Sequence, residues 1–301
     1  MRTTGGQPWW VALTVAAIAS LAVVGCGAAE TSHPSTSPGA VRPAAGSDPS
    51  VGSDPSVGSR AGSAPTPPPV NAAADYQLGG DYPPPDGVSV LTRDVTGRAE
   101  PGRYSICYVN GFQTQPGTRD RWPADLVTDI ADPDWPDEFL LDLTTADRRA
   151  RAAVQLAPQI VACQSEGFQA VELDNLDAWT RRDAIAPGSV PFGIEETTDY
   201  ARRLTALAHA QGLAVAQKNT PQLGAERARS IGFDFAVAEE CGRFGECTAY
   251  RSVYGDHVID IEYDRRSFDG ACAEVGGAIS IVLRDRALSI PGTAGYQFAT
   301  C

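Results

Sequence analysis

Between residues 75 and 301 the chain repeats one pattern: a short apolar or β-branched run, a polar break, and in several places a stretch with helical spacing. The runs fall at 75–78, 88–92, 104–109, 139–143, 170–174, 213–218, 235–239, 257–263 and 278–283. Of the intervening stretches, 147–164 carries Ala153, Leu156, Ile160 and Cys163 on one helical face behind Thr144 and Thr145, which suit an N-cap. Another, 195–211, carries Tyr200, Leu204, Leu207 and Ala208 and stops at Gly212, a natural C′ residue. Repeated strand–helix units demand a parallel sheet, and this number of them implies closure into a single (βα)8 TIM barrel. Nine runs is one too many, so one strand is expected to be an extra; the Pro-rich link 79–87 is also too short for a crossover helix.

If these runs are barrel strands, their carboxyl ends meet at one rim, where barrel active sites are built. Those ends carry Asp94, Asn110, Asp142, Glu172 with Asp174, Lys218 with Asn219, Glu239 with Glu240, Glu262 with Asp264, and Arg284 with Asp285. The densest is VELDNLD, 171–177. Val171 and Leu173 alternate with Glu172 and Asp174, so a strand turns the apolar pair to one layer and the carboxylates to the other. Asn175 and Asp177 follow where that strand would end. Convergent acids repel one another, which lets a carboxylic acid and a carboxylate coexist at neutral pH; that pairing serves acid/base chemistry and glycoside cleavage.

Lys218 is the single lysine among 24 basic residues, and its place at a strand end suggests a compact ammonium within a carboxylate-rich site. Tyr76, Tyr82, Tyr108, Phe112, Trp122, Trp179 and Tyr263 lie near other strand ends, where aromatic rings stack on sugars as readily as they fill a core.

The first quarter of the chain has a different composition. Arg2, an apolar run from Trp9 to Val24 and the small residues before Cys26 read as a secretory signal peptide over 1–26, with Cys26 placed like a lipobox cysteine. Residues 27–74 are Ser, Pro, Gly and Ala, with GSDPSV twice in tandem, and bury too little apolar surface to offset the entropy of ordering. We therefore expect a lipid anchor on Cys26 at the extracellular face of the cell membrane, a disordered tether, and a barrel over 75–301. The remaining six cysteines, Cys107, Cys163, Cys241, Cys247, Cys272 and Cys301, fit an oxidising compartment and allow fifteen pairings. Cys241 and Cys247 are the expected pair, because Gly242 and Gly245 let a short loop close. Their spacing is not that of a zinc ribbon, so no metal is expected. The net charge of −13 resides in the barrel, because Arg2, Arg42 and Arg60 cancel Glu30, Asp48 and Asp54. An acidic surface argues against nucleic acid and permits a cationic partner.

The segments YQL, ICYVNG, FLLDL, AVELDNLD, QKN, FAVAEEC with FGEC, IEY, and IVLRD with PGTAGY resemble glycoside hydrolase family 114, the endo-α-1,4-polygalactosaminidases. The resemblance spans nearly all of 75–301. It implies an extracellular (βα)8 hydrolase cutting galactosamine-rich polymer without a cofactor, with its two catalytic carboxylates at Asp174 and Glu239. The chain departs from the family pattern at Ala238, where Asn is usual, and at Glu240, often Gln.

The chemistry can be framed without the resemblance. The chain has no Gly-Xaa-Ser-Xaa-Gly elbow, Walker loop, dinucleotide fingerprint or His-Glu-Xaa-Xaa-His motif, and none of His33, His209 and His257 sits at a predicted rim. Carboxylates remain. Asp174, held ionised by Lys218 and Asn175, is expected to attack or stabilise the anomeric carbon; Glu239, crowded by Glu240 and Glu262, is expected to have a raised pKa and protonate the leaving oxygen. Asp142, Glu172, Asn175, Asp177, Lys218, Glu240, Glu262, Tyr263, Tyr108 and Arg284 are the expected polysaccharide-binding residues of a monomer. Two other classes fit the same sequence: a non-catalytic, lipid-tethered carbohydrate-binding barrel, and a structural envelope lipoprotein.

Overall fold

The computed structural model describes residues 65–181 and 190–301. The expected signal peptide, Cys26 and nearly all of the expected tether lie outside the described residues. Strands β1 (Ala74–Gln77), β2 (Val90–Asp94) and β3 (Tyr104–Asn110) come first, with no helix between them. The antiparallel hairpin β4 (Val127–Ala131) and β5 (Phe139–Leu141) follows. The chain then alternates: α1 (Ala146–Ser165), β6 (Ala170–Asp174), α2 (Ile194–Ala210), β7 (Ala214–Lys218), α3 (Gly224–Ile231) and β8 (Phe235–Glu239). Helices α4 (Cys241–Phe244) and α5 (Cys247–Tyr254) lead to β9 (Val258–Glu262), α6 (Arg265–Val275), β10 (Ser280–Arg284) and β11 (Phe298–Thr300).

Eight strands, β1, β2, β3 and β6 to β10, run parallel in chain order, and β11 adds antiparallel to β10. This is the TIM barrel the alternation implies, with two differences. Residues 139–143 are not a barrel strand: β5 pairs with β4 to the side of the barrel, so it is the extra strand. The first two crossovers are helix-free links, because 78–89 and 95–103 are too short and too rich in Gly and Pro for a helix.

Side-chain alternation divides the apolar residues into two cores. Val90, Ile106, Ala170, Ala216, Phe235 and Ile261 fill the barrel interior, where alanines on β6 and β7 make room for the ring of Phe235. Val109, Val171, Leu173 and Val215 face outwards against Leu156 and Ile160 of α1 and Tyr200 and Leu204 of α2. Each such fully buried side chain contributes about 1.5–3 kcal/mol. Helix α1 starts where Thr145 Oγ1 accepts the Arg148 amide at 3.2 Å, and α2 ends before Gly212, whose φ of 76° only glycine adopts without strain.

The seam between β1 and β10 is closed by a side chain. Arg284, wholly buried, donates to Asp75 Oδ1 at 2.8 Å and to the Tyr76 carbonyl, and also to the carbonyls of Ser289 and Gln297. Three disulfides tie the outer layer: Cys107–Cys163 joins β3 to α1, Cys241–Cys247 closes the loop after β8, and Cys272–Cys301 fastens the C-terminal residue to α6.

Candidate active site

A cleft of about 810 Å³ opens over the carboxyl ends of the strands. Its floor is built from inward-facing residues at or just past those ends: Tyr76, Tyr108, Asp174, Lys218, Glu239 and Tyr263. The chain leaves β6, β7 and β8 through residues in the left-handed region, Asn175 (φ 63°), Asn219 (φ 45°) and Glu240 (φ 61°). Such conformations cost about 1–3 kcal/mol for a non-glycine residue. They turn the backbone sharply just after Asp174, Lys218 and Glu239, each the last inward-facing residue of its strand.

One ammonium organises the floor. Lys218 Nζ lies 2.8 Å from Glu172 Oε1, 3.1 Å from Asp174 Oδ1 and 3.6 Å from Glu239 Oε2, and donates to the Tyr76 hydroxyl at 3.1 Å. Burial works to lower its pKa, but the charges of Asp174, Glu172 and Glu239 outweigh burial and keep it protonated well above the usual lysine range. Phenols complete the carboxylate shells: Tyr108 donates to Asp174 Oδ2 at 2.5 Å, Tyr76 to Glu172 Oε1 at 2.6 Å, and Tyr263 to Glu239 Oε1. Asn219 Nδ2 donates to Glu239 Oε2 at 2.9 Å, and Asn219 Oδ1 accepts the Glu239 backbone amide at 2.8 Å.

The electrostatics of Glu239 correct the expectation. Burial, the largest influence, raises its pKa, but Lys218, Tyr263 and Asn219 more than compensate and hold the carboxyl below its usual range. The acids expected to crowd it face elsewhere. Glu240 is itself the left-handed residue after β8, and its Oε1 accepts from Arg243 at 2.5 Å and Arg286 at 2.8 Å. Alternation along β9 sends Ile261 and Tyr263 inwards and Glu262 outwards, where it accepts the Arg243 amide at 3.0 Å beside the equally buried Asp260. The Asn175 amide, expected to support Asp174, donates to Asn110 Oδ1 at 2.9 Å.

Raised carboxyls sit elsewhere. Asp177, in the turn after β6, lines the cleft with its pKa lifted to about 6 by burial and then by the Asp174 charge. Glu138, in the turn of the β4–β5 hairpin just before β5, is lifted to about 7 by burial and by Asp174, against the pull of the Asn110 amide at 2.7 Å. Glu172 is also raised, burial outweighing Lys218.

Of the expected site residues, the structure therefore brings Asp174, Glu239, Lys218, Tyr108, Tyr263, Asn175 and Asp177 to one cleft. Glu172 is wholly buried beneath Lys218 and holds the ammonium. Arg284 closes the barrel seam. Asp142 follows the side hairpin, so it is not on the rim; it accepts from Thr144 and from Arg148 at 2.8 Å at the start of α1. Tyr76 and Asn219 carry floor contacts that the candidate set lacked, though both were visible at strand ends. Glu138 and Trp135 are absent from the candidate set, because residues 139–143 read as a barrel strand and 127–131 carries no strand signal that would make the two a hairpin. Among the described residues, the atoms of Cys241, Cys247 and Asp260 lie within 4.8 Å of one another, but the two sulfurs are bonded to each other and offer no thiolate.

Two carboxylates and a cation at the mouth of a barrel form an arrangement suited to attack at an acetal carbon with proton transfer to the departing oxygen. Residues 56–301 match the glycoside-hydrolase family GH114. A search of curated proteins finds no match. The Aspergillus fumigatus Ega3 crystal structure in complex with galactosamine is 19% identical with a TM-score of 0.64, covering 79% of this chain and 98% of that one. The glycoside hydrolase domain of PelA from Pseudomonas aeruginosa is 14% identical with a TM-score of 0.51, covering 75% of this chain and 98% of that one. At these identities the likeness is one of fold.

Proposed function

The chain belongs to glycoside-hydrolase family GH114, and from that membership and the cleft geometry we propose that it is an endo-glycosidase hydrolysing α-1,4 linkages in a galactosamine-rich, cationic polysaccharide. One observation carries the reading: a single buried ammonium, Lys218 Nζ, is shared by two cleft carboxylates on strands either side of its own, Asp174 and Glu239. Both carboxylates reach the same ammonium, at 3.1 and 3.6 Å, and so flank one point of the mouth; a separation of about 5–5.5 Å gives retention and one of about 6.5–9.5 Å inversion. Asp174 attacks or stabilises the anomeric carbon, and Glu239 protonates the leaving oxygen.

That donation requires Glu239 to gain a proton it does not hold in the open cleft. Its contact with Lys218, at 3.6 Å, is the longest of the three carboxylate contacts. Burial is already the strongest influence on Glu239, and polymer covering the cleft excludes more water, which moves the carboxyl towards its protonated form. The galactosamine bound to Ega3 and the barrel's net charge of −13 both favour a cationic amino sugar.

The test is hydrolysis of a galactosamine oligomer by wild type, Asp174→Asn and Glu239→Gln. Each variant is expected to lose turnover by orders of magnitude while still binding oligomer, since the amides keep shape and lose charge or acidity. Near wild-type cleavage by either variant overturns the assignment. We further propose that the protein is exported and held at the membrane by lipid on Cys26. Cys26→Ala is then expected to appear in the medium, and membrane retention of that variant together with absence of lipid on wild type refutes the anchor.

A further inference from the structure

We propose that the β4–β5 hairpin is a sugar-binding arm of the cleft, in which Trp135 forms a stacking platform for a pyranose unit and Glu138 receives an ammonium group of the bound polymer. The inference rests on the glycosidase reading for its substrate class and on the hairpin for everything else.

The hairpin lies between β3 and α1, outside the eight-stranded barrel, and packs on the outer core through Leu140 and Leu141. Its tip is wired in place. Asp132 Oδ1 accepts the amides of Asp134 at 2.9 Å and Trp135 at 3.2 Å, and wholly buried Gln113 donates to Asp132 Oδ2 at 2.9 Å. The Glu138 amide donates to the Trp135 carbonyl at 2.9 Å, and the Asp132 amide to the Glu138 carbonyl at 2.8 Å. On this fixed turn Trp135 is 59% exposed and lines the cleft wall. A large indole left in water while its backbone is held rigid gains nothing for the fold, but it presents a flat apolar face whose ordering cost has been met before ligand arrives.

Glu138 supplies the second half. It lines the same wall and is only 8% exposed, with the Asn110 amide as its side-chain donor. Asp174 and Glu239 share Lys218, and Glu240 has Arg243 and Arg286. Among the described residues no lysine or arginine pairs with Glu138, and its carboxyl is pushed up to about 7. A buried carboxylate without a cation gains most from a ligand that brings one, and a charge-assisted hydrogen bond to an amino sugar does so.

The test compares wild type, Trp135→Ala and Glu138→Gln on fully de-N-acetylated and fully N-acetylated galactosamine oligomers. Oligomer binding is also measured by calorimetry in an Asp174→Asn background, so that the arm is read without turnover. Trp135→Ala is expected to weaken binding and raise KM about tenfold for both oligomers, with kcat held within about twofold. Glu138→Gln is expected to weaken the free-amine oligomer about tenfold to a hundredfold and leave the N-acetylated one within about twofold. Wild-type affinity in both variants overturns the arm, and so does a loss of kcat without a change in binding. Failure of wild type to cleave either oligomer defeats the glycosidase reading instead, and the calorimetric differences then decide the arm alone.

Discussion

Replacing Lys218 by Met tests the electrostatic core of the site. The ammonium is about as buried as a charge can be, at 2% side-chain exposure, and it serves Glu172 at 2.8 Å, Asp174 at 3.1 Å and Glu239 at 3.6 Å. At an effective dielectric near 20 each contact is worth roughly 5 kcal/mol of gross attraction. Most of that offsets the burial of the charged groups themselves. What the substitution exposes is the penalty for leaving carboxylates unpaired, about 3–5 kcal/mol. For a body of this size that is a drop of roughly 6–20 °C in melting temperature at pH 7. The sign of the pH dependence follows from linkage. Without the ammonium, the folded-state pKa values of Glu172 and Glu239 rise, so the folded protein holds more protons than the unfolded chain and stability falls as pH climbs from about 4. Lys218→Met should therefore melt closest to wild type near pH 4–5 and furthest below it at pH 7–8, and its turnover should fall by orders of magnitude. Thermal melts from pH 4 to 8 measure the first, and oligomer hydrolysis measures the second. A variant that melts within about 2 °C of wild type at pH 7, with a gap that does not narrow in acid, refutes the reasoning.

Tyr263→Phe removes a hydroxyl that helps to hold Glu239 below its usual range; a hydrogen bond to a charged group is worth about 1.5–3 kcal/mol, so the Glu239 limb of the pH profile of kcat/KM should move about one to two units higher. A limb that stays put separates Tyr263 from Glu239. Asp260 is raised by burial and then by the Glu262 charge, and Glu262 by burial, so wild-type stability should fall as pH rises from about 4 through their folded pKa values. Asp260→Asn should flatten that fall, and equal slopes in melts between pH 5 and 8 would show that the buried pair does not carry it.

The barrel and the centre of its site were legible because strand alternation is local. Period-two spacing put Glu172 and Asp174 on the face opposite Val171 and Leu173, and the same arithmetic places Lys218 and Glu239 inwards. It fails where a strand's phase or identity is not local. Glu262 lies one residue from inward-facing Ile261 and Tyr263, and only the register of β9 against its neighbours decides which set faces the mouth. Residues 139–143 are as apolar as a barrel strand, yet pair with 127–131, so Asp142 leaves the rim and Glu138 and Trp135 join the cleft.

What the sequence determined by itself is therefore whatever depends on spacing along one strand: the inward Glu172, Asp174 and Glu239, the solitary lysine, nine runs of which eight close the barrel, and the pair of cysteines six positions apart. The tertiary structure decided what depends on distances between strands. It turned Arg284 from a rim candidate into the clasp of the β1–β10 seam, and Glu172 into the buried counter-ion of Lys218. It also reversed the expected shift of Glu239. A carboxyl's proton affinity is set by the cations, phenols and amides within a few ångströms of it, and those arrive from β7, from the turn beyond it and from the end of β9, segments that meet Glu239 only when the barrel closes.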